Sequence, residues 1–225
     1  MSEFQNTIDL LGDEAVTKAL VERTRMEFHD DVITKVRRYA FYNNSQLTSI
    51  DLPSVTEIYE YAFRECSALT NVKLPSWEST TAGGGSRSGQ FQRCTALKSV
   101  TFPLLKSLSN QMFAYCSSLQ IVDLYKVTSI PNGSITGCGA LKYLVLRSET
   151  LCAISSASAL TGSPFDSGKT GGTVIVPASQ VAGYTTHTNW SAILAQNANN
   201  RVLALEDYTV DGTIAGEIDW DKLGG

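Results

Sequence analysis

Apolar positions in this chain recur with a period far longer than a helical turn or a strand pleat. Residues 33–54 read ITKVRRYAFYNNSQLTSIDLPS and residues 55–76 read VTEIYEYAFRECSALTNVKLPS. A shift of 22 places lays Ile33 on Val55, Val36 on Ile58, Ala40-Phe41 on Ala62-Phe63, Leu47 on Leu69, Ile50 on Val72 and Leu52-Pro53 on Leu74-Pro75. The pattern returns as Phe91, Cys94, Leu97, Val100 and Phe102-Pro103, and then as Phe113, Cys116, Leu119, Val122 and Leu124. It returns once more as Ile135, Cys138, Leu141, Val145 and Leu146, with Leu144 in register. The step from Pro75 to Pro103 is 28, so that copy carries six extra residues. A fixed period of this length marks stacked structural repeats.

The consensus V-x-x-I-x-x-x-A-F-x-x-C-x-x-L-x-x-I-x-L-P predicts a coil with two faces. Its L-x-x-I-x-L-P end alternates with period 2 and reads as a short strand with Ile and Leu inward. Proline closes that strand, because it has no amide hydrogen to donate. The V-x-x-I-x-x-x-A-F part predicts a short strand and a turn that carry the chain back across the other face. One coil cannot stand alone. Its inward side chains, about six, contribute roughly 1.5–3 kcal/mol each, whereas ordering each backbone residue costs about 1–2 kcal/mol. Stacking shares a continuous core and reverses the balance, and the two ends must then be closed.

For the N-terminal end, DEAVTKALVER (13–23) predicts an amphipathic helix with Asp13 as its N-cap and Ala15, Ala19 and Leu20 on one side. RMEFHD (25–30) predicts a degenerate first strand with Met26 and Phe28 inward. At the other end the last copy keeps Leu151 and Ile154 before the small-residue stretch SSASALTGSPFDSGKTGG. A strand TVIVP (173–177), short helices in ASQVAGY and TNWSAIL, and a strand RVLAL (201–205) follow. In the acidic stretch EDYTVDGTIAGEIDWDKLGG, Asp211-Gly212 predicts a hairpin turn between YTV and TIA.

The repeat resembles the BspA-type leucine-rich repeat through its A-F-x-x-C-x-x-L-x-x-I-x-L-P signature. VPASQVAGYTTHTNWSAIL resembles the C-terminal closing segment attached to such repeats in bacterial and prophage-encoded proteins, and the two together cover residues 33–205. The head IDLLGDEAVTKALVERT and the tail ALEDYTVDGT are similar to segments of small proteins encoded beside phage tail genes. The resemblance implies a mainly β, right-handed leucine-rich-repeat solenoid of about six coils. Its expected parts are a helical N-terminal cap (1–32), the solenoid (33–172), an α+β C-terminal cap (173–205) and an acidic tail (206–225). It also implies binding of a protein or surface glycan rather than catalysis, in a phage or prophage setting. The rival role is a structural assembly part of a phage particle or cell-surface structure.

Composition narrows the partners. The chain has 225 residues, 43% apolar and 18% charged, which suits a folded repeat protein. A net charge of −4 argues against nucleic acid or an anionic membrane as partner. The N-terminus MSEFQNTIDLLGDEAV lacks a basic stretch followed by an apolar run, and no apolar stretch approaches the roughly 18 residues of a membrane span. The expected location is the cytoplasm, or a phage particle or cell surface reached without a signal peptide. The oligomeric state is left open.

Candidate chemistry is sparse. Cys66, Cys94, Cys116 and Cys138 share one repeat position, held by Asn44 in the first coil. They read as a structural ladder in which a small polar side chain satisfies turn backbone, since their spacings of 28, 22 and 22 fit no zinc pattern. Cys152 reads as a buried residue of the last coil, and five thiols point to a reducing compartment. GSPFDSGKTGG (162–172) has five residues between Gly162 and Gly168-Lys169 and runs into a strand, so it reads as a flexible surface loop and not a phosphate-binding loop. His29 and His187 have no nucleophile or carboxylate arranged beside them in a recognisable motif. The tail acids Asp207, Asp211, Asp219 and Asp221 lack calcium-loop spacing and read as solvated. Catalytic, cofactor and metal sites are not expected. The candidate binding face is the outward pair of ladders on the front strands: Ser49, Asn71, Ser99, Ile121, Tyr143 and Asp51, Lys73, Thr101, Asp123, Val145. Trp77 and Arg87 join them at the edges of the Gly-rich insertion 78–90. The ladders turn from polar to apolar along the chain, so a partner is expected toward the C-terminal coils together with the 78–90 insertion; the rival reading is that the C-terminal closing segment or the acidic tail folds over Ile121, Tyr143 and Val145 and buries them.

Overall fold

The computed structural model describes residues 26–31, 33–80 and 88–224; the expected helix at 13–23 and Arg87 lie outside them. The elements run β1 (Glu27–His29), β2 (Lys35–Val36), β3 (Ser49–Asp51), β4 (Glu57–Ile58), β5 (Asn71–Lys73), β6 (Ser79–Thr80) and β7 (Ser99–Phe102). Next come β8 (Ile121–Leu124), β9 (Ser129–Ile130), β10 (Tyr143–Leu146), β11 (Ala153–Ile154) and β12 (Thr173–Val176). The helices α1 (Val181–Thr186) and α2 (Thr188–Ala195), strand β13 (Arg201–Ala204) and the short helix α3 (Trp220–Gly224) complete the chain. This is a mainly β solenoid of parallel strands.

The L-x-x-I-x-L segments form the front. Two parallel sheets, β1-β3-β5 and β7-β8-β10-β12-β13, lie along it. Their register aligns Phe28 with Ile50 and Val72, and Val100 with Val122, Leu144, Val174 and Val202. The strands β12 and β13 thus continue the front sheet beyond the repeat signature, and residue 172 marks no break in it. The V-x-x-I segments form the back as two-residue strands, β2-β4-β6 and β9-β11.

The core follows the repeat. Leu47, Leu69, Leu97, Leu119 and Leu141 make one buried column. Phe41, Phe63, Phe91 and Phe113 stack face to face with centroids 4.9, 5.1 and 5.9 Å apart, a spacing set by the coil repeat of about 4.8 Å. Each ladder thiol donates to a carbonyl one coil back. Cys66 Sγ reaches Phe41 O at 3.0 Å; Cys94, Cys116 and Cys138 reach the carbonyls of Phe63, Phe91 and Phe113 at 3.1 Å. In the first coil Asn44 Oδ1 accepts from the Gln46 amide instead. Burial pushes the Cys66 and Cys138 thiols up to about 12 and holds those of Cys94 and Cys116 well above the ordinary thiol range, so they remain protonated donors.

Some expectations need correction. Met26 is 57% exposed, because it lies just outside β1 and only Phe28 meets the core. The stretch 162–172 is not a free surface loop, since Phe165 is buried in the core. Past β11, the Tyr184 hydroxyl accepts from the Cys152 amide at 3.0 Å and Trp190 Nε1 donates to Cys152 O at 2.7 Å, so α1 and α2 lie against the last back strand. In the tail the antiparallel bridge joins Thr209 to Ile218, a wider loop than a hairpin between YTV and TIA.

Candidate binding surface

Outward positions of the front sheet meet two different fates. Asn71, Lys73, Ser99 and Thr101 are exposed, and Ser49 and Asp51 are half-buried. Further on, Ile121 is half-buried, and Asp123, Tyr143 and Val145 are buried. The cover is the chain's own tail. Tyr143 and Val145 form a second apolar cluster with Ile175, Leu205, Ile218 and Leu223, against which Ile121, Leu203, Tyr208 and Ile214 also pack. The Tyr143 hydroxyl donates to Leu223 O at 3.2 Å, and its ring lies 5.5 Å from that of Trp220.

A buried ion pair pins this cover down. Arg147 Nε and Nη2 donate to the two carboxylate oxygens of Asp123 at 2.7 and 3.0 Å, while Nη1 donates to Ile214 O and Gly216 O at 2.7 and 2.8 Å. The guanidinium therefore bridges the front sheet and the tail. Burial raises the Asp123 carboxyl above its ordinary value, and Arg147 opposes this. The tail acids Asp207, Asp211 and Asp221 stay exposed, whereas Leu205, Ile218 and Leu223 turn inward.

The apolar end of the ladder is accordingly closed and the polar end open, the reverse of what its exposed chemistry suggested. Alternation locates a side chain on the outer side of a sheet; it does not say what comes to lie there. Trp77 is corrected too. It is fully buried, edge-on to Phe91 and Phe102 at 6.0 and 4.9 Å, with Nε1 donating to Ser79 O. The signal was available: 22 places after Val55, it holds the inward V position of the repeat.

A feature the ladders missed runs along the turns that lead into the front strands. Asn43, Glu65, Arg93 and Tyr115 all adopt left-handed backbone, φ 55° to 63°, which disfavours side-chain-bearing residues by roughly 1–2 kcal/mol each. Their amides recover this by donating to the next coil, to the carbonyls of Arg64, Gln92, Ala114 and Thr136 at 2.7–2.9 Å. The left-handed turn throws four unlike side chains onto one edge. With the hydroxyls of Ser67, Thr95 and Ser117 they line a shallow groove of about 520 Å³. Tyr115, 50% exposed, lies over Gly137, where an added Cβ would come within 2.6 Å of the ring, and the Arg93 guanidinium sits 5.6 Å from the ring's centre. Arg64 pairs with Glu65 at 3.2 Å. Arg37, Arg38 and Arg64 extend the cationic and aromatic strip over Tyr59, Tyr39 and Tyr61.

His29 lies 3.0 Å from Asp31 and 3.5 Å from Asp51 on the exposed first strand. Among the described residues no group of three or more His, Cys, Asp or Glu could hold a metal ion, and all five cysteines are free and buried.

The model of the BspA-type leucine-rich-repeat region matches residues 3–84 and 34–158 in six copies. The chain belongs to this family. BspA-type repeats are binding modules in general, and leucine-rich-repeat proteins are in general non-enzymatic. A leucine-rich repeat protein from Eubacterium ventriosum superposes with a TM-score of 0.50 at 20% identity, over 62% of this BspA-type chain and 43% of that one. A leucine-rich cell surface protein from Faecalibacterium prausnitzii gives 0.49 at 27% identity, over 67% and 38%. The chain thus spans less than half the length of either structure. No curated protein matches its sequence. No helix among the described residues is long and apolar enough to cross a membrane.

Proposed function

We propose that this chain is a non-enzymatic recognition solenoid whose partner, a protein or surface glycan, docks on the open front strands β3, β5 and β7 and the adjoining turn groove. The observation that carries this reading is the contrast along the front face, which the two front sheets share. Where the outward ladder is apolar, the chain covers it with its own tail; where it is Asn71, Lys73, Ser99 and Thr101, it stays open, with Asp51 half-buried at its edge. An invariant inner face beneath a varied outer one is the arrangement by which repeat scaffolds present ligand contacts. Beside it the groove supplies Arg93 and Tyr115, residue types that concentrate binding energy at interfaces.

The test is to screen a glycan array and a displayed peptide library, then repeat with the triple variant Asp51→Ala, Lys73→Ala, Thr101→Ala and with Arg93→Ala/Tyr115→Ala. Ligands of the wild type should lose about tenfold or more in affinity to one of these variants. Ligands indifferent to both would place recognition elsewhere. A second reading, structural assembly, is favoured by Val210 and Trp220, which stand 72% and 38% exposed on the tail. It predicts self-association that Val210→Asp and Trp220→Ser abolish in sedimentation. The proposed phage or prophage setting rests on the head and tail resemblance.

A further inference from the structure

The loops that enter the last three front strands line an open concavity whose chemistry differs from that of the front face. Lys142 precedes β10, Thr170 and Gly171 precede β12, and Asn199 precedes β13; with Thr173 and Arg201 they line a cavity of about 610 Å³. That volume suits a saccharide- or nucleotide-sized group. No carboxylate lines it, although the protein as a whole carries a net charge of −4.

Its polar groups are donors in excess. Among the described residues neither Lys142 nor Arg201 takes part in an ion pair. Arg201 is held in place by Nε, which donates to Thr173 Oγ1 at 3.1 Å, and this leaves the two terminal nitrogens of the fork for a ligand. Lys142 Nζ lies 5.0 Å from the centre of the Tyr143 ring, and Lys142 lines the pocket. The Thr170 hydroxyl and the Asn199 side-chain amide add neutral donors.

The walls are set before any ligand arrives. Asn197 Nδ2 donates to Asp166 O and Lys169 O at 3.1 and 2.8 Å, and Asn200 Oδ1 accepts from the Gly172 amide at 2.9 Å. These bonds lock one loop to the next. At Gly171, φ +90°, a Cβ would lie 2.5 Å from Asn199 Cβ, so the loops approach as closely as backbone allows. Fixed donors bind with little ordering cost. A planar guanidinium fork beside a lysine point charge matches the oxygens of phosphate or carboxylate.

We infer that this pocket is a binding site for an oxyanion, either a phosphate group or the carboxylate of an acidic sugar. It is separate from the open front face and does not depend on that reading. The experiment is an amide NMR titration of the full chain with inorganic phosphate, glucuronate and glucose, each at constant ionic strength in chloride. Saturable shifts at Gly171, Thr173 and Arg201 are expected with phosphate or glucuronate and not with glucose. The anion that saturates first identifies the carrier.

Lys142→Gln and Arg201→Gln should each weaken binding about tenfold, and Arg201→Lys should fall between them and wild type. Lys98→Gln, two coils back at the same repeat position, should leave it unchanged. Lys142 is exposed, so its variant stays informative if Arg201→Gln fails to fold. Absence of saturation with both anions overturns the site. So do shifts spread over the surface lysines, or binding that survives Lys142→Gln unchanged.

Discussion

The first and last coils of this solenoid use the same register for opposite ends. Outward positions Asn71, Lys73, Ser99 and Thr101 face solvent, while their successors Asp123, Tyr143 and Val145 lie beneath residues 205–224. The backbone ladder is the same in both places, parallel and in register. The outward chemistry differs. Apolar side chains offer roughly 25 cal/mol per Å² to whatever covers them, and the tail carries Leu205, Ile214, Ile218 and Leu223 to do so. A polar ladder offers no such gain and remains available to a partner.

The largest effect should come from making the covered end resemble the open one. Tyr143→Ser with Val145→Ser is expected to cost about 5 kcal/mol in urea denaturation, as polar substitution and lost packing in a core do. The matched pair Asn71→Ala with Lys73→Ala should stay within about 0.5 kcal/mol, as at surface sites. Equal costs at the two ends would break the comparison.

Next comes the ion pair beneath the tail. Arg147→Ala is expected to cost about 3 kcal/mol at neutral pH, because it strands a buried carboxylate and two tail carbonyls. Replacing both partners, Asp123→Leu with Arg147→Met, should recover most of that in the same denaturation assay. A double variant as unstable as the single one would show that the carbonyl bonds to the tail, and not the stranded charge, carry the effect.

A smaller effect sharpens the role of the tail itself. Tyr143→Phe removes only the hydroxyl bond to Leu223 O and should cost about 1 kcal/mol, with faster hydrogen exchange confined to residues 205–224. Exchange that rises equally in β3 and β5 would mean the tail is not a local cover.

The smallest effect is a pH dependence at the same place. Burial holds the Asp123 carboxyl above its ordinary value even beside Arg147, so the folded state retains that proton to higher pH than the unfolded chain. Between the two values the native state binds more protons, and this group's contribution to stability falls as pH rises through that window. The unfolding free energy of wild type minus that of Asp123→Asn should therefore decrease as pH increases from the ordinary aspartate pKa of about 3.9 upward. A difference that grows with pH would mean that the bidentate contact outweighs burial.

Much of this molecule was legible residue by residue. The 22-residue shift located the leucine and phenylalanine columns, the cysteine positions, the front strands and the back strands except at 105–108, where none forms. The same shift places Trp77 at the inward position that Val55 holds one coil earlier, and Trp77 is buried there. The left-handed turns were harder to see. No residue type announces them here, because Asn43, Glu65, Arg93 and Tyr115 occupy a conformation that glycine takes at Gly137, and the coil-to-coil amide bonds that stabilise it are non-local.

Sequence by itself determined which side chains each coil turns inward, because a repeat must present the same apolar set at the same place to stack. It likewise determined which side chains stand on the outer side of the front sheet. Only the tertiary structure decided which of those are free. That depends on where a tail some 80 residues downstream of Tyr143 comes to rest, as its bond to Leu223 shows. The pocket at Lys142 and Arg201 has the same origin, since it is assembled by loops that are adjacent in the stack but 28 to 59 residues apart along the chain. Local pattern carries the period of the backbone; contacts between distant segments are set by packing, which no local pattern encodes.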